Sequence, residues 1–195
     1  MFVSDLRLFL GMPDDTPAPA RRMAEHLTLI VRAATAGDAG LRWVSALPCV
    51  RRPGRRACPG HLAVLRIDVP PSIEWQCTSC RDEGVISGWE HSPFDLRAHT
   101  TDSASPGDDV QVVIDAEIAA TLRGLTLVDT TGERLVFRAR NSEHGVTLTG
   151  NEDDLDELTG YVAAEANHEQ DRRRRKRLDA AFKVLNDALD RVERL

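Results

Sequence analysis

Four cysteines fall within 32 residues, Cys49, Cys58, Cys77 and Cys80, spaced C-x8-C and then C-x2-C. No other feature restricts the chain so tightly. Four soft thiolates suit a tetrahedral Zn²⁺, and a C-x2-C turn curls its backbone round one ion. The first pair is stretched by VRRPGRRA, so Cys49 and Cys58 need a longer loop than usual. His61 lies at C-x2-H from Cys58. It is therefore an alternate ligand, in a site of three thiolates and one imidazole. A structural zinc is the expected cofactor under either ligand set. Disulfides are disfavoured because no export signal is readable: MFVSDLRLFL is interrupted by Asp5 and Arg7 and followed by Pro13. The expected compartment is cytoplasmic, and no His/Asn partner pattern points to a catalytic cysteine.

Short apolar runs surround the cysteines: LRWVSAL, HLAVLRID, SIEWQ and VISGW, parted by Pro and Gly. These read as strands, so the cysteines sit at strand ends, as in a zinc ribbon. Before them, Ser4 is expected to cap a short helix over residues 5–12. A second helix is expected over about 19–35, with Met23, Leu27, Ile30, Val31 and Ala34 on one face and Gly37 as its stop.

HTTDSASPGDD (99–109) reads as a domain boundary. After it, VQVVI, LTLVD, RLVFRAR and VTLTG read as a strand meander, with a short helix capped by Asp115. Asn151 caps a further helix whose first turn is acidic. The apolar stripe then changes phase, which places a break near Asn167–His168. The expected class is α+β: N-terminal helices (1–37), a small antiparallel zinc-ribbon-like module (38–98), then a β-meander with two C-terminal helices (107–195).

The 195 residues carry a net charge of −6, with 42% hydrophobic and 29% charged. That excludes a wholly disordered chain, and no apolar run is long enough to span a membrane. The charge is unevenly spread. Six arginines and no acid lie between Leu41 and Ile67, while thirteen acids face four arginines between Asp102 and Glu157. Two clusters are candidates for nucleic-acid binding: Arg51, Arg52, Arg55 and Arg56 on the loop between two ligands, and the run Arg172, Arg173, Arg174, Arg175, Lys176, Arg177. The run reads better as a charged connector between two buried helices than as a nucleic-acid patch. The three tryptophans, Trp43, Trp75 and Trp89, are expected in the core, with an exposed base-stacking platform as the sharper alternative.

The stretch from Trp43 to Trp89 resembles a zinc-ribbon module. More widely, CPGHLAV, EWQCTSCRDEGVISGW, SPFDL and YVAAEANHEQDRRRRKRLDAAF resemble an uncharacterised bacterial family of hypothetical proteins. That resemblance implies no activity and transfers no catalytic residue; zinc ribbons as a class imply binding or scaffolding of nucleic acid or protein. Elsewhere, Glu165-x-x-His168 has di-iron spacing but no second copy. Asp108–Asp109 and Asp153–Asp154 are explained by turn and cap positions. His26, His91, His99 and His144 are scattered, and no phosphate loop, G-x-S-x-G or H-E-x-x-H occurs. The expectation is a zinc-stabilised, non-catalytic binding or regulatory protein. A nucleic-acid binder is the first alternative, and a hydrolase with its site in the acidic domain the second.

Overall fold

The computed structural model describes residues 2–13, 15–97 and 109–192. The chain divides into two compact units, Met1–Ala98 and His99–Leu195. The stretch read as a boundary lies outside the described residues, apart from Asp109. The class is mixed α+β, with eight strands and five α-helices among the described residues.

In the first unit the strands run β1 (Phe2–Asp5), β2 (Trp43–Pro48), β3 (His61–Asp68), β4 (Pro71–Cys77) and β5 (Glu83–Ser87). Their order in the sheet is β1-β5-β4-β3-β2. All pairs are antiparallel except β1 with β5, which is parallel. The pairs within 38–98 are all antiparallel; the parallel pair is added by β1, from the 1–37 segment that was expected to be helical. Helix α1 (Ala18–Ala36) packs against β2, β3 and β4 through Leu27, Ile30, Val31 and Ala34. Met23, expected on the same face, is exposed. The sheet face beneath follows a period of two: Leu62 and Val64 on β3, then Ile73, Trp75 and Cys77 on β4, are buried. The helix expected over 5–12 is also corrected. Ser4 is a buried strand residue, and Asp5 caps only a 3-10 turn over Leu6–Phe9, accepting from the Arg7 amide. FVSD is too short to declare itself a strand, and the β5 edge recruits it.

The second unit holds β6 (Val110–Ile114), α2 (Ala116–Leu122), α3 (Thr130–Phe137), β7 (Arg140–Ser142), β8 (Gly145–Gly150), α4 (Glu152–His168) and α5 (Arg172–Val192). Strand β8 lies between β7 and β6, antiparallel to both. Asp115 and Asn151 cap α2 and α4 as expected, accepting from the amides of Ile118 and Asp154. The expected meander is corrected: LTLVD is not a strand and RLVFRAR is mostly helix. Asp129 accepts from the Gly132 amide at 2.8 Å and starts α3, whose Leu135, Val136 and Phe137 are buried. A β-branched and aromatic texture favoured strand, but one aspartate in capping position decided otherwise. The break between α4 and α5 falls directly after His168. Leu178, Ala181, Leu185 and Ala188 of α5 are buried, and α5 packs on α4 and α2. No described helix is long and apolar enough to cross a membrane.

Candidate metal centre

Pairing of β3 with β4 sets Leu62 opposite Cys77, so the loop before β3 and the turn after β4 meet at one end of the sheet. Cys49 follows β2, Cys58 precedes β3, Cys77 ends β4 and Cys80 lies in the turn to β5. The two loops are sewn together: the Thr78 amide donates to the His61 carbonyl at 2.9 Å, and the His61 amide to Thr78 Oγ1 at 3.0 Å. The long first loop is closed at its neck, where the Cys49 amide donates to the Gly60 carbonyl (2.8 Å) and the Cys58 amide to the Arg51 carbonyl (2.9 Å). That closure brings Cys49 back to Cys58 despite the eight intervening residues.

All four sulfurs lie within 4.8 Å of one another. Cys49 Sγ and Cys80 Sγ are 3.7 Å apart, as are Cys58 Sγ and Cys77 Sγ. These are opposite edges of one tetrahedron. A zinc–sulfur bond of about 2.3 Å demands an edge of about 3.8 Å, so the donor set fits a tetrahedral thiophilic ion. No disulfide joins the four. His61, the alternate ligand, is the first residue of β3 and is not among the four clustered groups.

The backbone prepares these sulfurs to carry charge. The amides of Arg51, Gly60 and Ser79 each donate to the sulfur two residues earlier, at 3.5, 3.5 and 3.3 Å, and the Cys80 amide adds a second bond to Cys77 at 3.4 Å. Burial alone would raise the Cys77 thiol, but the Cys80 and Ser79 amides outweigh it and bring its pKa down to about 7. Burial pushes the Cys49 thiol up. The four thiols thus differ in how readily they give up a proton, and a divalent ion bound here would displace those protons.

Gly60 is fixed by this packing. A Cβ there would stand 2.6 Å from Cys77 Sγ and 2.9 Å from the Ser79 amide nitrogen. Gly60→Ala should weaken zinc affinity by about 10-fold or more without removing a ligand, the scale of a loss in the shell around the ligands. Competition against a chromogenic chelator reads it, and an unchanged dissociation constant would contradict the tight fit.

The basic candidates divide. Arg51, Arg52, Arg55 and Arg56 are all exposed on the first loop, and Arg51 Nε pairs with Asp82 Oδ1 at 3.1 Å. In the run on α5, two of the six are used by the fold. Arg174 pairs with Glu165 and, at 2.6 Å, with Glu169, while Arg175 donates to the Glu169 carbonyl. Arg172, Arg173, Lys176 and Arg177 are exposed. The base-stacking alternative is overturned: Trp43, Trp75 and Trp89 are buried at 7%, 4% and 0% exposure.

Glu165 has a role that sequence reasoning missed. It is 5% exposed and accepts from the amides of Thr126 (2.8 Å) and Leu127 (3.4 Å) while pairing with Arg174. The signal was an acid falling on the stripe of Leu158 and Val162, nine residues before an arginine.

No family model, no curated protein and no solved structure matches this chain. Of the resemblances drawn from the sequence, the clustered cysteines are what stands: a four-sulfur group able to hold a metal ion.

Proposed function

We propose that the chain is a zinc-stabilised binding and regulatory protein without catalytic activity, its four cysteines forming a ribbon-like structural site. One observation carries this reading: four unbridged sulfurs at tetrahedral spacing, on two loops of neighbouring strands. Four protein thiolates complete the coordination of zinc, whereas a catalytic zinc keeps a position open for water or substrate. Unbridged thiols also suit a reducing, cytoplasmic compartment. The hydrolase alternative would need converging carboxylates in the second unit. Among the described residues, the cysteines form the one group of three or more His, Cys, Asp or Glu with metal-site geometry. A hollow in that unit carries a single acid, Glu117, beside Arg174 and Arg177.

Elemental analysis of the purified protein tests the proposal. One zinc per chain is expected, with four thiols released to a thiol reagent only after chelation. Metal-free protein with its sulfurs oxidised in pairs would overturn it.

A further inference from the structure

The loop between the first two cysteines gathers charge that the fold leaves unneutralised. Several arginines elsewhere are paired, Arg42 with Glu74 at 2.7 Å, Arg66 with Asp68 at 3.0 Å and Arg97 with Asp95 at 2.7 Å, while Arg172, Arg173 and Arg177 on α5 are exposed. Yet Arg52, Arg55 and Arg56 are exposed and have no carboxylate partner among the described residues, and the same is true of Arg81 on the facing turn. A chain with 31 acidic residues leaves four guanidiniums unneutralised at one place.

The loop is also ordered in advance. Its neck is closed by the Cys49–Gly60 and Cys58–Arg51 backbone bonds. Within it, the Arg55 amide donates to the Arg52 carbonyl (3.1 Å) and the Arg56 amide to the Pro53 carbonyl (3.3 Å). Gly54 and Arg55 take positive φ, 60° and 66°, to make the tight turn. Both ends are cysteines of the four-sulfur cluster, so a bound ion would hold the base of the loop. Arg51, Arg52, Pro53, Cys80, Arg81 and Asp82 line an open hollow between this loop and the C-x2-C turn.

We infer that this arginine loop, with Arg81, is a phosphate-binding finger that grips the backbone of double-stranded nucleic acid without reading its bases. Guanidiniums fork onto phosphate oxygens bidentately, and a rigid loop loses little entropy in doing so. Backbone contacts alone supply sequence-independent affinity. The hollow holds no aromatic ring, and the three tryptophans are buried, so the stacking that single strands require is missing there. The inference rests on the zinc-stabilised reading, because the ion would shape the loop.

The test uses full-length, zinc-loaded protein and fluorescence anisotropy with two unrelated DNA duplexes of about 20 base pairs, long enough for several phosphate contacts. Both duplexes should bind with equal affinity. The log of the association constant should fall with log salt at a slope near −3 to −4, about 0.9 for each phosphate held. A combined Arg52→Ser, Arg55→Ser, Arg56→Ser, Arg81→Ser variant keeps the cysteines and Arg51. It should retain one zinc per chain and its far-UV spectrum, yet lose at least about tenfold in affinity, with the slope flattened by about one for each contact removed. Undiminished binding by that variant would move the contact elsewhere, the Arg172–Arg177 run included, and overturn the inference. So would no binding at low salt, or preference for polyglutamate or anionic vesicles over duplex. In each of these cases a full zinc complement leaves the structural-zinc reading standing; a protein that carries no zinc at all fails that reading instead.

Discussion

Chelating the proposed zinc, or replacing Cys77 with Ser, should unfold the Met1–Ala98 unit and shift tryptophan emission strongly to the red. The magnitude follows from two comparable quantities. A structural zinc contributes about 10–16 kcal/mol at neutral pH, and a whole domain is stable by only about 5–15 kcal/mol. Losing the ion therefore removes most or all of the margin. The packing shows how the loss spreads. Cys77 is the last residue of β4 and shares its buried face with Trp75 and Ile73, so releasing that end frees the strand at the centre of the sheet. All three tryptophans lie in this unit and none in the second, so emission reports on this unit alone. Stopped-flow emission after adding a strong chelator, with far-UV circular dichroism alongside, measures it. An emission maximum that stays put after the zinc has demonstrably left would contradict a structural role.

The second large effect belongs to the other unit and is silent in tryptophan emission. Glu165→Ala should destabilise His99–Leu195 by about 2–3 kcal/mol, the scale of charge-assisted hydrogen bonds lost from part-exposed donors. Four donors lose a bond together: the amides of Thr126 and Leu127, the Thr126 hydroxyl, and the Arg174 guanidinium, which keeps Glu169. The bond from Arg174 to the Gly124 carbonyl, at 2.8 Å, also depends on where Glu165 holds that side chain. One carboxylate thus ties the start of α5 to the segment between α2 and α3. Glu165→Gln keeps an acceptor for the amides and gives up the ion pair, so it should cost roughly half as much, about 1–1.5 kcal/mol. Hydrogen exchange along α4 and α5 against urea reads both variants. Equal protection in wild type and Glu165→Ala would refute the role.

The sequence alone was enough to determine whatever depends on short-range pattern. The short apolar runs HLAVLRID and SIEWQ, parted by Pro and Gly, placed β3 and β4, the periodic face of Leu27, Ile30 and Val31 placed α1, and the Asp115 and Asn151 caps placed the starts of α2 and α4. Each of these forces acts within a few residues. The spacing of the four cysteines marked them as one ligand set for the same reason: thiolates this numerous and this close have few other uses.

Tertiary structure alone decided what depends on partners distant along the chain. FVSD becomes a strand because β5 offers an unpaired edge eighty residues later. Cys49 is brought to the other sulfurs by the carbonyl of Gly60, and His61 stands aside because β3 begins at it. Glu165, an acid on an apolar stripe, is tolerable only because Arg174 and two amides reach it there. Which arginines remain unneutralised was likewise unreadable beforehand, since ion pairing follows from distances across the fold rather than from order along the chain.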